Sequence, residues 1–168
     1  AEAQGAEREK LLADLQPLLK EAARMLKLGL ALATTKDDEK DVNRARYFLS
    51  YVYYSLRDYS YDAAILGEYI ARKHYESQPE LALDAGYLAQ AAYIQAYNRA
   101  PEPDRAAAVQ RIIDICNFIT EHWPENDKAH DARMNLGSLF SQMRQPAEAA
   151  RWYMQVPEAA PQFLEAQL

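Results

Sequence analysis

The sequence is poor in the residues that build β-sheets and disulfides. Its 168 residues include five glycines, one cysteine, four valines and seven isoleucines, against 30 alanines. Alanine favours helices, whereas β-branched residues favour strands, so we expect an all-α fold. The single cysteine, Cys116, excludes both an intrachain disulfide and a cysteine-based metal cluster.

Basic residues are also fewer than acidic residues. The chain has 19 Lys and Arg residues against 25 Asp and Glu residues, which gives a formal net charge of -6. A nucleic-acid binder presents a basic surface to phosphate groups, so we expect no nucleic-acid partner. The sequence also contains no glycine-rich phosphate loop and no Gly-x-Ser-x-Gly nucleophile motif.

A membrane-spanning run and an export signal are missing from the sequence as well. The first seven residues include no starting methionine, no basic cluster and no apolar run. Residues 163–168 have the composition of the first turn of a helix. We therefore expect a soluble segment of a longer protein, with no membrane insertion. The cytoplasm and the periplasm both stay open as its location.

Side chains with catalytic or metal-binding chemistry are scattered. His74, His122 and His130 lack the one-turn spacing to a second ligand that a zinc site requires. Cys116 lies among isoleucines without a neighbouring cation, which is typical of a core residue rather than a nucleophile. We predict no catalytic residue, no metal and no cofactor. An all-α enzyme is the least favoured interpretation.

Apolar residues recur at steps of three and four along seven segments, the pattern of amphipathic helices. The first helix spans about 7–33, and Pro17 inside it predicts a kink or a helix start nearer Gln16. Ser60 has the chemistry of an N-cap for the third helix, and Asn126 or Asp127 for the sixth. Short turns predict antiparallel pairs. These pairs span about 41–76, 79–123 and 126–156, and residues 162–168 begin a further helix.

The last predicted pair contains a recognisable pattern. Leu136-Gly137-x-x-Phe140 precedes Ala149-x-x-x-Tyr153 in the sequence. This pattern resembles one repeat of the tetratricopeptide repeat (TPR) family, in its degenerate bacterial form. In such a repeat, small residues allow two helices to approach closely while large residues fill the remaining gap. Similar anchors occur in the two earlier pairs, at Leu49-Ser50 and Leu88-Ala89.

The resemblance implies a fold and a mode of action for residues 1–168. The fold is a right-handed α-solenoid of antiparallel helix pairs, about seven helices in a single helical-repeat domain. The first helix of each pair lines a concave groove that binds a peptide or a partner domain. The resemblance implies a protein-protein interaction scaffold with no catalytic activity.

Tyrosine is the most conspicuous candidate for recognition in such a groove. Eight of the twelve tyrosines fall between residues 47 and 75, and Tyr47, Tyr51 and Tyr54 share one stripe of the second helix. Tyrosine combines a large ring with a hydrogen-bonding tip, which suits binding. The same rings could instead pack between consecutive helix pairs. The predicted groove residues are Arg44, Tyr47, Tyr51, Tyr54, Gln90, Tyr93, Tyr97, Met134, Ser138 and Ser141. Asp131 and Gln142 are further candidates on the sixth helix.

One alternative function stays open at this point. The chain could serve as a structural spacer or as a self-assembly segment of a larger repeat protein, because its ends are predicted to expose apolar helix faces. The partner is then a second copy rather than a peptide. The sequence identifies neither the partner nor the oligomeric state.

Overall fold

A computed structural model describes the backbone of residues 2–167 and the side chains of residues 11, 14–101 and 105–167. Within these residues every regular element is an α-helix, which confirms the predicted all-α class. Eight helices occur in this part of the chain, and the eighth is a single turn within the predicted segment 162–168. The helices are α1 (Glu2–Leu32), α2 (Glu39–Leu56), α3 (Ser60–His74), α4 (Pro79–Arg99), α5 (Glu102–His122), α6 (Asp127–Gln142), α7 (Pro146–Tyr153) and α8 (Phe163–Ala166).

The first helix differs from the prediction in its start. It begins at Glu2 and continues through Pro17 to Leu32, so the start expected near Gln16 is wrong. Proline removes one backbone donor, but its ring here is exposed and the rest of this 31-residue helix keeps its backbone hydrogen bonds. The lost bond is therefore insufficient to end the helix.

The chain divides into two compact units, Ala1–Leu88 and Ala89–Leu168. The boundary falls inside α4, so this helix contributes residues to both units. Each unit has an apolar cluster of its own. The single repeat domain expected from the sequence stays a prediction.

In the first unit, α2 packs against both α1 and α3. Leu49, Val52 and Leu56 of α2 form a core with Ala23 of α1. On the α3 side, the Ser50 hydroxyl donates a 2.7 Å hydrogen bond to the carbonyl oxygen of Ala63. Such a bond requires the two helices to approach closely, and Ser50 is the small residue of the predicted anchor.

The prediction that Ser60 is the N-cap of α3 is wrong. Ser60 is the first residue of α3 and not the residue before the helix, and its hydroxyl donates to the carbonyl oxygen of Arg57 at 2.7 Å. Arg57 ends α2 with a φ of 62° and brings its carbonyl within reach of that hydroxyl. Ser60 therefore stabilises the turn between α2 and α3.

In the second unit, α6 packs against both α5 and α7. Asn126 caps α6 by accepting a hydrogen bond from the Lys128 backbone N–H at 3.0 Å, as one of the two predicted alternatives requires. Gly137 of α6 lies against the ring of Tyr153 on α7, so closely that a Cβ at this position would be 2.6 Å from the ring atom Cδ1. Two residues of the TPR-like pattern are thus in direct contact.

The segment after α7 covers one side of α6. Val156, Ala160 and Ala166 form a buried cluster, and Met134 of α6 packs against it. The Gln162 side chain also donates a 2.7 Å hydrogen bond to the Asp131 carboxylate on α6. These contacts determine which side of α6 stays available for binding.

Candidate functional site

The predicted groove residues of the first unit lie on one side of α2. Tyr51 is 53% exposed, and Tyr47 and Tyr54 are half-buried. Arg44 is exposed and forms a 3.5 Å ion pair with Asp41 one turn away. The structure thus keeps these four side chains accessible, and Tyr51 is the most exposed of the three tyrosines.

Tyr47 has the most restricted environment of these tyrosines. Its ring lies 6.0 Å from the ring of Phe48, measured between centroids. Burial raises the pKa of its hydroxyl, and the negative charge of Asp84 adds to the effect. Tyr47 therefore combines a packing role with a partly accessible hydroxyl, so both alternatives for the tyrosine stripe apply to this residue.

Two predicted groove residues have almost no accessible surface for a ligand, and a third, Met134, is half-buried and covered on one side. Gln90 and Tyr93 are each only 1% exposed, and Met134 packs against the cluster of Val156, Ala160 and Ala166. Gln90 and Tyr93 belong to α4 and are buried together with the neighbouring Ala89 and Ala92. We therefore remove these three residues from the candidate surface.

Tyr97 and Ser138, two further predicted groove residues, line one cleft in the second unit. The cleft has a volume of about 80 Å³. Ile94, Ile112 and Leu139 provide its apolar surface, with Ile112 and Leu139 buried. Ser141 is exposed on α6 but does not line the cleft.

Three carboxamide side chains surround this apolar surface. They belong to Asn98 of α4 and to Asn135 and Gln142 of α6. Asn98 and Gln142 are exposed, and Asn135 is half-buried. The Gln142 amide lies 3.4 Å from the Ser138 hydroxyl, to which it donates a hydrogen bond. The cleft therefore offers both donors and acceptors around an apolar centre.

An arginine holds the aromatic wall of the cleft in place. The Arg105 guanidinium lies over the ring of Tyr97, 5.5 Å from the ring centroid. The same guanidinium donates a 3.0 Å hydrogen bond to the carbonyl oxygen of Ala100, at the end of α4. These contacts restrict the rotation of Tyr97 and stabilise the shape of the cleft.

The lining of the cleft suits recognition by hydrogen bonding and apolar contact. None of its eight residues has a carboxylate, imidazole, thiol or amino group, and the hydroxyls among them are those of Tyr97 and Ser138. Outside the cleft, Cys116 is fully buried and burial raises the pKa of its thiol. Among the described residues, no group of three or more His, Cys, Asp or Glu side chains is placed to hold a metal ion.

Asn98 and Asn135 are absent from the groove residues predicted from the sequence. Asn135, Ser138 and Gln142 recur at steps of three and four, so they share one stripe of α6. The sequence prediction included Met134 and Ser141, which lie on a stripe that is rotated about the helix axis relative to this one. The periodicity of α6 identifies the residues that share this stripe. The hydrogen bond between Gln162 and Asp131 shows which side of α6 the following segment covers.

No protein-family model, curated protein or solved structure matches this chain. The resemblance to TPR repeats therefore stays a prediction from the residues between Leu136 and Tyr153. In the part of the chain that the structure describes, no helix combines the length and the apolarity that crossing a membrane requires.

Proposed function

We propose that this chain is a non-catalytic protein-protein interaction module that binds a peptide segment in the cleft of its second unit. The helices α4 and α6 that carry the cleft are the first helices of two predicted pairs. In a TPR-like α-solenoid, first helices line the concave binding face. The right-handed solenoid is part of this proposal and rests on the residue pattern.

The observation that supports peptide binding most strongly is the arrangement of the three carboxamides. An extended peptide has a backbone donor and a backbone acceptor at each residue, and a carboxamide can satisfy both at once. Asn98 lies on α4, whereas Asn135 and Gln142 lie on α6. A peptide strand lying between these helices would have polar partners on both sides.

The size of the cleft favours a peptide side chain over a small-molecule ligand. Pockets that bury drug-sized molecules usually enclose about 300–1,000 Å³. The cleft has about 80 Å³, which suits a single aliphatic side chain above Ile112 and Leu139. We propose that one apolar residue of the partner anchors here while its backbone bonds to the carboxamides.

Selection from a phage-displayed library of random peptides tests this proposal. We expect enrichment of peptides that share one aliphatic residue. Replacing Asn98 or Asn135 with alanine removes a hydrogen-bonding pair of about 1–2 kcal/mol, so affinity for the selected peptides should fall roughly tenfold.

A carboxamide outside the cleft provides the control. Gln110 is exposed on α5 and bonds to Asp114 at 2.8 Å. Gln110→Ala should bind the selected peptides as tightly as the unchanged chain. Circular dichroism establishes that each variant is folded. Equal binding by all variants, or failure to enrich any peptide, would contradict the proposed function.

A further inference from the structure

The first helix has two apolar faces, and the structure covers only one of them. Leu19, Ala23 and Leu26 face the core shared with α2. A second row faces solvent, with Leu18 67% exposed and Leu32 70% exposed. We define this row as the α1 seam, and it consists of Leu15, Leu18, Ala22, Met25, Gly29 and Leu32. Ala22 lies at its edge, half-buried, and also packs against the core.

The spacing of the α1 seam is that of a helix that packs along another helix. Its steps alternate strictly between three and four residues, which is a period of 3.5. This is the a and d pattern of helices that pack along one another. The row of α1 that packs along α2 has the same steps, at Leu19, Ala23, Leu26 and Leu30. No charged residue interrupts the seam, and Leu11 continues it by one further step.

The residues of the seam complement a second copy of the same seam. Large residues alternate with Ala22 and Gly29, and a Cβ placed on Gly29 would meet no atom within 4 Å. A leucine or methionine from a facing helix can occupy that space. A twofold dimer requires one patch that complements itself, and alternating large and small residues meet this requirement.

The exposed area reaches the lower end of the range for specific interfaces. Among the described side chains of α1, six large apolar ones are exposed, with Leu28 beside the seam. Together they present on the order of 600 Å² per copy, or about 1,200 Å² for two copies, against about 1,200–2,000 Å² in specific interfaces. A groove of about 350 Å³ beside the seam adds surface, because Gly29 and Leu32 line it together with Val42 and Ala45 of α2.

We infer that the α1 seam is a homodimer interface, in which α1 of one copy packs along α1 of a second copy. Three cations of α1 lie away from this interface. Lys20, Arg24 and Lys27 line a cleft beside Tyr53 and Tyr59, on the other flank of the helix. Dimerisation therefore brings none of these three cations into the apolar contact.

Analytical ultracentrifugation tests the inference with this chain alone. Between about 1 and about 300 μM we expect a monomer-dimer equilibrium, as for interfaces near this size. Leu18→Glu places a charge in the seam and should weaken the dimer at least tenfold. Leu164→Glu changes another strongly exposed leucine, which lies outside α1, and should leave the equilibrium unchanged.

Site-specific cross-linking provides a second readout that does not depend on disrupting the interface. Because Cys116 is buried, a cysteine introduced at Ala22 is the reactive thiol of the chain. A short bis-maleimide should link Ala22→Cys into covalent dimers much faster than Lys27→Cys, whose thiol lies on the other flank. A monomer at every concentration, a dimer unaffected by Leu18→Glu, or equal cross-linking at both positions would overturn the inference.

Discussion

Gly137 shows how a single side chain controls the approach of two helices. A Cβ at this position would lie 2.6 Å from Cδ1 and from Cζ of Tyr153, well inside van der Waals contact. Tyr153 packs against the cluster of Val156 and Ala160, so moving its ring to relieve the clash would disturb those contacts. The absence of a side chain at 137 is therefore a packing requirement.

We predict that Gly137→Ala destabilises the protein. Overpacking costs about 1–3 kcal/mol, and the better helix propensity of alanine returns up to about 1 kcal/mol, so the free energy of unfolding should fall by about 1 kcal/mol. Urea unfolding followed by circular dichroism measures this change.

Gly29→Ala is the matched control, because space around Gly29 is open. In dilute solution it should raise the free energy of unfolding by about 0.5 kcal/mol through helix propensity alone. If both alanines stabilise the protein, the close contact between Gly137 and Tyr153 is not part of the folded state.

His74 makes the stability of the first unit sensitive to pH. Its side chain is buried, and its Nδ1 lies 4.0 Å from a carboxylate oxygen of Glu39. Burial lowers the pKa of His74, with help from the charges of Arg46 and Lys73, although Glu39 acts in the opposite direction. Protonation is therefore less favourable in the folded protein than in the unfolded chain.

The sign of the pH effect follows from this difference. Above the usual histidine pKa of about 6.5, neither state binds the proton and full stability is present. As the pH falls below that value, the unfolded chain gains a proton first, so the free energy of unfolding decreases until the pH is below the folded-state pKa. His74→Gln should lose less stability over this range in urea titrations. Parallel pH profiles for the two proteins would contradict the prediction.

At the scale of one helix, Asn126 determines where α6 begins. Its backbone is extended, with a φ of -85° and a ψ of 143°, and its side chain accepts a hydrogen bond from the Lys128 backbone N–H. We predict that Asn126→Ala lowers the free energy of unfolding by about 1 kcal/mol, because that N–H loses its partner.

Asn126→Asp serves as the matched variant for this cap. Aspartate keeps the accepting oxygen and places a negative charge at the positive end of the helix, so stability should be retained or slightly increased. Chemical denaturation of the two variants side by side makes the comparison. Equal losses for alanine and aspartate would show that Asn126 does not act through capping.

The helices are well predicted from the sequence because the residues that start and end most of them are adjacent in the chain. Pro79 and Pro146 each occupy the first residue of a helix, where a missing backbone donor has no cost. Of the two effects expected of Pro17, a helix start near Gln16 is wrong, because proline removes one hydrogen bond whereas the helix depends on all of its bonds.

The binding face was harder to predict than the helices. Periodicity identifies a stripe of α6 but does not reveal which stripe another segment covers. That information lies in contacts distant in sequence, such as the bond from Gln162 to Asp131 and the packing of Met134 against Val156. Gln90 and Tyr93 were misplaced for the same reason, since only the folded chain shows that both are buried.

At the scale of the whole molecule, the proposals assign different roles to the two units. The second unit has a cleft lined by carboxamides, which we propose binds a peptide. The first unit has the exposed α1 seam, which we infer joins two copies. A dimer would then present two peptide clefts, so a partner with two copies of the recognised segment would bind more tightly than one with a single copy.

The most direct test of peptide binding is an NMR titration of the side-chain amide groups. A peptide selected from the random library is added to isotope-labelled protein, and the N–H₂ signals of the asparagine and glutamine side chains are followed. Our account predicts saturable shifts at Asn98, Asn135 and Gln142, with the Gln110 signal unchanged. Shifts confined to residues outside the cleft, with those three signals unmoved, would contradict it.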